Sequence, residues 1–293
     1  MQIALHTGAH YTDDDKLLKS LGKNRDFLAE RGISLPKPRS YRKTIRDHLN
    51  AARAAGPQDG ARDAVLAGMI DNSVEAPDRL VLSNSNFFCV PRLAIRDNIY
   101  YPQADERLQD FCNLFPGDEI EVFMAIRNPA TFLPALNAAT PERSDAEMTL
   151  GLEPTALRWS ELVHRMRLGA PNVALTVWCN EDTPMIWEQL MRELSGIEAT
   201  APMAGGDDLL HEIMSPEGLE RFDSYMGNHP GMTEMQKRRV IAAFMDKFAL
   251  EDEVEEELDF NGWTEDYIDV LTEIYDEDVY DISRIPGVTL ITP

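Results

Sequence analysis

Residues 5–18 read LHTGAHYTDDDKLL. Together with Gln2, Ile3 and Ala4 they open as a short apolar strand, turn at Gly8, and enter a helical pattern near Asp13. A strand, a glycine turn and a helix in that order form the start of a doubly wound sheet, where free backbone N–H groups at a helix N-terminus face an anion. Here three consecutive aspartates, Asp13, Asp14 and Asp15, stand where the anion belongs.

Working outward, further apolar runs read as buried strands: RLVLSNS (79–85), EIEVFMAI (119–126) and NVALTVW (172–178). Helical patterns separate them. DDDKLLKSLGKNRDFLAERG (13–32) places Leu17, Leu21 and Leu28 on one face, and YRKTIRDHLNAARAAG (41–56) follows it. NPATFLPALNAA (128–139), PTALRWSELVHRMRLG (154–169) and DTPMIWEQLMRELSG (182–196) continue the alternation. Continuous apolar strands alternating with helices imply an α/β fold with a mostly parallel sheet flanked by helices.

The strand signal stops near residue 205, after APMAGGDD (201–208). We therefore expect a core over residues 1–204 and a helical, acidic C-terminal portion over 205–293 packed on it. In TEDYIDVLTEIYDED (264–278), Tyr267, Ile268, Leu271, Ile274 and Tyr275 share one face and acids the other, with Thr264 as N-cap.

The chain has 28 basic and 51 acidic residues, a net charge of −23. Residues 251–281 alone hold fifteen Asp or Glu and no Lys or Arg. Such a charge repels nucleic acid and anionic membranes. The acidic segment reads either as a solvated helix face or as a docking surface for a basic protein partner. No apolar run reaches the length of a membrane span, and the N-terminus lacks the basic flank and apolar core of a signal peptide, so the expected location is cytoplasmic. Three scattered cysteines, Cys89, Cys112 and Cys179, argue against a disulfide framework or a zinc site. Trp159, Trp178, Trp187 and Trp263 sit in apolar patterns and read as core aromatics.

LHTGAHYT resembles the opening of bacterial sulfotransferase-family proteins, in which a strand runs into His-x-Gly-x-His-Lys-Thr-Gly-Thr-Thr. FMAIRNPATFLPALNAA resembles a second family element, a strand ending in Arg-x-Pro with a Ser a few residues later; Arg127 and Pro129 match it. The tail GWTEDYIDVLTEIYDEDVYDISRIPGVTL resembles the C-terminal helix of bacterial members. The resemblance implies a sulfotransferase-like P-loop fold. It also implies a donor site for 3′-phosphoadenosine-5′-phosphosulfate (PAPS), with Gly8, Ala9 and Thr12 in the loop around the phosphosulfate and Arg127 at the 3′-phosphate.

The departures carry the functional reading. The family lysine falls on Tyr11, its Gly-Thr-Thr on Asp13, Asp14 and Asp15, and its serine on Ala135. Ser83, Asn84, Ser85 and Asn86 stand where many relatives carry a glutamate. The resemblance with these changes implies a divergent protein that has lost or weakened PAPS use, a pseudoenzyme or binding protein needing no cofactor. The alternative is an active PAPS-dependent sulfotransferase with a rearranged site, in which His10 and Tyr11 are the candidate catalytic residues, supported by Thr12 and Arg127. An unrelated nucleotide-binding enzyme on the same sheet is disfavoured, because no Gly-Lys-Ser/Thr follows the first strand.

Several assignments stay open at this level. The three aspartates either cap the helix and complement its dipole, or form an altered anion site, or bind a metal, although adjacent positions do not converge on one ion. Arg127 either holds a phosphate or pairs with an internal acid. His6 and His10 serve either packing and loop hydrogen bonding or chemistry.

Overall fold

The computed structural model describes residues 1–56, 58–69, 74, 76–138, 151–250, 253, 260 and 262–293. In chain order the strands are β1 (Gln2–His6), β2 (Ile33–Ser34), β3 (Arg79–Ser83), β4 (Ile95–Arg96), β5 (Ile99–Tyr100), β6 (Glu119–Ile126), β7 (Ala174–Cys179) and β8 (Val288–Ile291). The first helices are α1 (Lys16–Gly22), α2 (Arg25–Ala29), α3 (Pro38–Ala55), α4 (Ala61–Met69), α5 (Ala104–Leu114) and α6 (Pro129–Ala138). After them come α7 (Trp159–Gly169), α8 (Thr183–Ser195), α9 (Asp208–Ile213), α10 (Pro216–Asn228), α11 (Glu234–Phe248) and α12 (Glu265–Ser283).

Six strands form one sheet in the order β2-β3-β1-β6-β7-β8, and every pairing in it is parallel. β4 and β5 make a separate short hairpin. The expected mostly parallel α/β architecture is thus what the chain adopts. β1 lies inside the sheet, paired along one edge with β3 and along the other with β6, and its two faces are buried by the core layers on either side.

The alternation along each strand divides the core into two layers. Ile3, Leu5, Leu80, Leu82, Val122 and Met124 face one side, where Tyr41, Ile45, Phe111, Phe132 and Trp159 cover them. Ala4, Val81, Phe123, Ala125 and Trp178 face the other, under Leu17, Leu21, Leu28, Ile186 and Leu190. Each fully buried Leu or Ile contributes about 1.5–3 kcal/mol, so this double covering is the main stabilising term. Leu17, Leu21 and Leu28 share one core layer as their spacing predicts, although a break at Lys23–Asn24 splits their helix into α1 and α2. Of the tryptophans, Trp159, Trp178 and Trp187 are buried, and half-buried Trp263 packs against the core.

The C-terminal portion differs from its reading in one respect. Beyond the helices, Val288–Ile291 returns to the sheet as β8 and pairs in parallel with β7. Four residues after Pro286-Gly287 are too short a run to show a period. Helices α9 to α11 enclose a small cluster of their own around Leu210, Met214, Phe222 and Ile241. α12 lies against the main core through Leu271, Tyr275, Asp278 and Ile282. Thr264 caps it as expected, its hydroxyl accepting from Tyr267 N at 3.3 Å. In the acidic segment, positions 251, 252, 254–259 and 261 lie outside the described residues. On α12, Asp266, Asp269, Glu273, Asp276, Glu277 and Asp281 are exposed. No helix among the described residues is long and apolar enough to cross a membrane.

Candidate functional site

Because the main sheet is parallel, the loops after β1, β3, β6 and β7 gather at its C-terminal edge, where open α/β sheets place their ligands. The β1 loop stays tied to the sheet beyond the strand, with Thr7 N donating to Phe123 O at 2.9 Å and Ala9 N to Ala125 O at 2.8 Å. Gly8 then turns the chain with φ +56°, and a Cβ there would lie 2.8 Å from Thr12 Oγ1. Both the left-handed backbone and the close approach require glycine. Thr12 closes the turn by donating to Ala9 O at 2.8 Å.

Tyr11, Asp14 and Asp15 also have positive φ, at 60°, 49° and 63°. For a tyrosine this conformation costs on the order of 1–2 kcal/mol, and Arg127 holds it by donating Nη1–H to Tyr11 O at 2.6 Å and Nε–H to Thr131 Oγ1 at 2.9 Å. Helix α1 begins only at Lys16, since Asp14 and Asp15 are left-handed. The aspartates therefore precede the first turn and diverge. Asp13 turns inward, and its Oδ1 accepts from Leu17 N at 2.7 Å. Asp14 is exposed, while Asp15 pairs with the guanidinium of Arg42, which also donates to Ser83 O at 2.8 Å. Capping is thus the work of Asp13 alone. Among the described residues no group of three His, Cys, Asp or Glu is arranged to hold a metal ion.

His6 is buried and stacked on Trp178, with ring centroids 5.8 Å apart. Its Nδ1 lies 3.1 Å from Ser83 Oγ and 4.0 Å from Asp13 Oδ2. Serine and aspartate thus approach the same nitrogen, whereas a nucleophilic relay needs them on opposite ones. Burial lowers the His6 pKa, although Asp13 and Asp15 oppose the shift. His10 is absorbed into loop packing. Its Nε2 meets Cys89 O at 3.1 Å and Asn86 Oδ1 at 3.3 Å, and its Nδ1 lies 2.8 Å from Tyr101 Oη. With two acceptors at Nε2, the proton belongs there, and Nδ1 accepts from the tyrosine. Burial lowers its pKa as well.

At the same edge a cleft of about 360 Å³ opens between the β1 loop, the start of α8, α9 and the end of α11. Tyr11, Thr12, Asp13 and Asp14 line one side, Glu181 and Trp187 another, and Leu209, Ile213 and Met245 the apolar part. His10 does not line it, and neither do Gly8, Ala9, Asp15 or Arg127. Ala135 is half-buried on α6. The lining basic residue, Lys16, is held by Glu212 at 2.5 Å.

Glu181, Asp182 and Arg42 are site residues that the sequence reading missed. Glu181 takes Asn128 N at 2.8 Å and Tyr275 Oη at 3.1 Å, so a carboxylate occupies an amide beside Arg127. Asp182 precedes α8, where Asp-Thr-Pro is a readable helix start, but its side chain makes no cap hydrogen bond. Burial, with Glu181 beside it, pushes its pKa up to about 6. An acid whose pKa is raised on folding costs stability once it ionises, so stability is lost as pH rises from the unfolded value near 4 through 6. Asp182→Asn is expected to match the parent near pH 4 and to gain about 1 kcal/mol by pH 7, the group being half-exposed. Urea unfolding across that range measures it, and a loss at pH 7 refutes the assignment.

Fold and site together define a parallel α/β protein with an acid-rich crevice at the C-terminal edge of its sheet. Compared with protein-family models, curated proteins and solved structures, the chain matches none.

Proposed function

We propose that this is a divergent sulfotransferase-like protein whose donor site is filled by its own carboxylates, and that it binds a partner or ligand without using PAPS. One observation carries the reading: Asp13 Oδ1 sits 2.7 Å from the Leu17 amide, in the loop that the resemblance assigns to the phosphosulfate. Glu181 supports it at the second family element, where it takes the Asn128 amide next to Arg127. Arg127 itself is engaged with Tyr11 O and Thr131.

The energetics point the same way. A carboxylate ~4 Å from a bound anion repels it by about 1–4 kcal/mol, depending on the local dielectric. Replacing the family lysine by Tyr11 removes a charge-assisted contact of roughly 1.5–3 kcal/mol. Micromolar affinity is only about 8 kcal/mol in total. The exposed acids of α12 extend the reading to a basic partner, whose hold would weaken as salt screens the charge.

Titration of PAPS and of its desulfated product by calorimetry and thermal shift, with ATP and GTP alongside, tests the proposal. No heat and no shift are expected at millimolar ligand. A dissociation constant in the low micromolar range for PAPS or its product overturns the reading, and a shift with ATP or GTP points to a nucleotide enzyme instead.

A further inference from the structure

The cleft at the sheet edge combines two chemistries that together select a ligand class. Part of its lining is apolar and aromatic, made by Trp187, Leu209, Ile213 and Met245. Its remaining lining includes the carboxylates of Asp14 and Glu253, and among the described residues neither has a salt-bridge partner. Two other lining carboxylates are already engaged, Asp13 by the Leu17 amide and Glu181 by the Asn128 amide and Tyr275. Lys16 does not neutralise the cleft, because Glu212 holds its ammonium.

A bare inorganic cation gains nothing from the apolar wall, and an anion is repelled by the carboxylates. An apolar molecule without charge leaves the two free carboxylates unused. The volume, about 360 Å³, lies within the ordinary range for small-molecule sites. Tyr11 and Trp187 add ring surface that attracts an organic cation.

We infer that the cleft takes an ammonium or guanidinium group on a short apolar stem, supplied by a free amine or by an Arg or Lys side chain of a basic peptide. The stem packs on Leu209, Ile213 and Met245 while the cation faces Asp14 and Glu253. This rests on the reading above only in that the cleft is not an anion site.

The test uses the full chain at low ionic strength, titrated calorimetrically with n-butylguanidinium and with its neutral near-isostere n-butylurea. Butylguanidinium is expected to bind at least tenfold more tightly than butylurea. The Asp14→Asn/Glu253→Gln double variant, with both changes outside the core, should weaken it by on the order of tenfold or more without moving the melting temperature. A capped peptide with one Arg between apolar residues forms the second arm. Tighter binding of the peptide assigns the site to a side chain, and tighter binding of butylguanidinium assigns it to a free amine. Equal affinity for the urea, an unaffected double variant, or no heat from either cationic probe overturns the inference. That last result, with PAPS also silent, leaves the proposed function standing; low-micromolar PAPS binding removes that function and with it the premise of the inference.

Discussion

Asp278→Ala should lower the stability of the protein by about 2–4 kcal/mol. Asp278 lies on α12, yet it is 3% exposed and its Oδ2 accepts from Trp159 N at 2.5 Å and Ser160 N at 3.2 Å. It caps the N-terminus of α7, whose own N-cap residue Arg158 makes no side-chain cap. Removing it leaves two amides without their acceptor at the seam between α12 and the core, each costing about 1–3 kcal/mol. Part of that loss is offset, because burial already raises the Asp278 pKa and its removal relieves a desolvation penalty. Asp281→Ala, at an exposed acid on the same helix, should stay within about 0.5 kcal/mol. Urea unfolding of both variants measures the contrast. Equal effects would show that Asp278 is not a tie between the C-terminal portion and the core.

Combining Tyr11→Lys with Asp13→Gly, Asp14→Thr and Asp15→Thr should create donor affinity where the parent has none measurable. The lysine restores a contact worth roughly 1.5–3 kcal/mol. Each carboxylate removed relieves about 1 kcal/mol or more at ~4 Å. The sum corresponds to a gain of at least about a hundredfold for desulfated PAPS. Two structural consequences favour the change. The Leu17 amide is freed from Asp13, and Arg42 is released from Asp15 close to the loop. There is also a cost, since the Asp13 cap is worth about 1 kcal/mol. Calorimetry with the desulfated nucleotide reads the outcome, and unchanged silence in a folded variant would mean that the loop is not aligned with the family's donor loop.

Much of the sheet is legible in the sequence. EIEVFMAI is β6 residue for residue, and QIALHT and NVALTVW differ from β1 and β7 only at their ends. A strand of a parallel sheet covered by helices on both faces must be apolar throughout, and that leaves a mark in sequence. β2 and β8 left none, because two or four residues show no period. The site was legible only as a location. Gly8 and the loop after β1 follow from the order of strand, glycine and helix, whereas Arg42 and Glu181 come from positions far along the chain with no local signature, and Asp-Thr-Pro at 182–184 marks a helix start without marking a site.

From the sequence alone follow the parallel α/β class and the excess of acid. A period of two or 3.6 and a count of charges are local or additive properties, so they survive without a fold. Which acid does what was decided in three dimensions. Asp13, Asp14 and Asp15 are identical and adjacent, yet one caps a helix, one faces the cleft and one pairs with Arg42. Asp278 looks like one more member of an acidic stripe, yet it is buried between two helices. A carboxylate's role depends on the donors that packing brings within about 3 Å, and those donors lie here 27, 53 and 119 residues away as well as four.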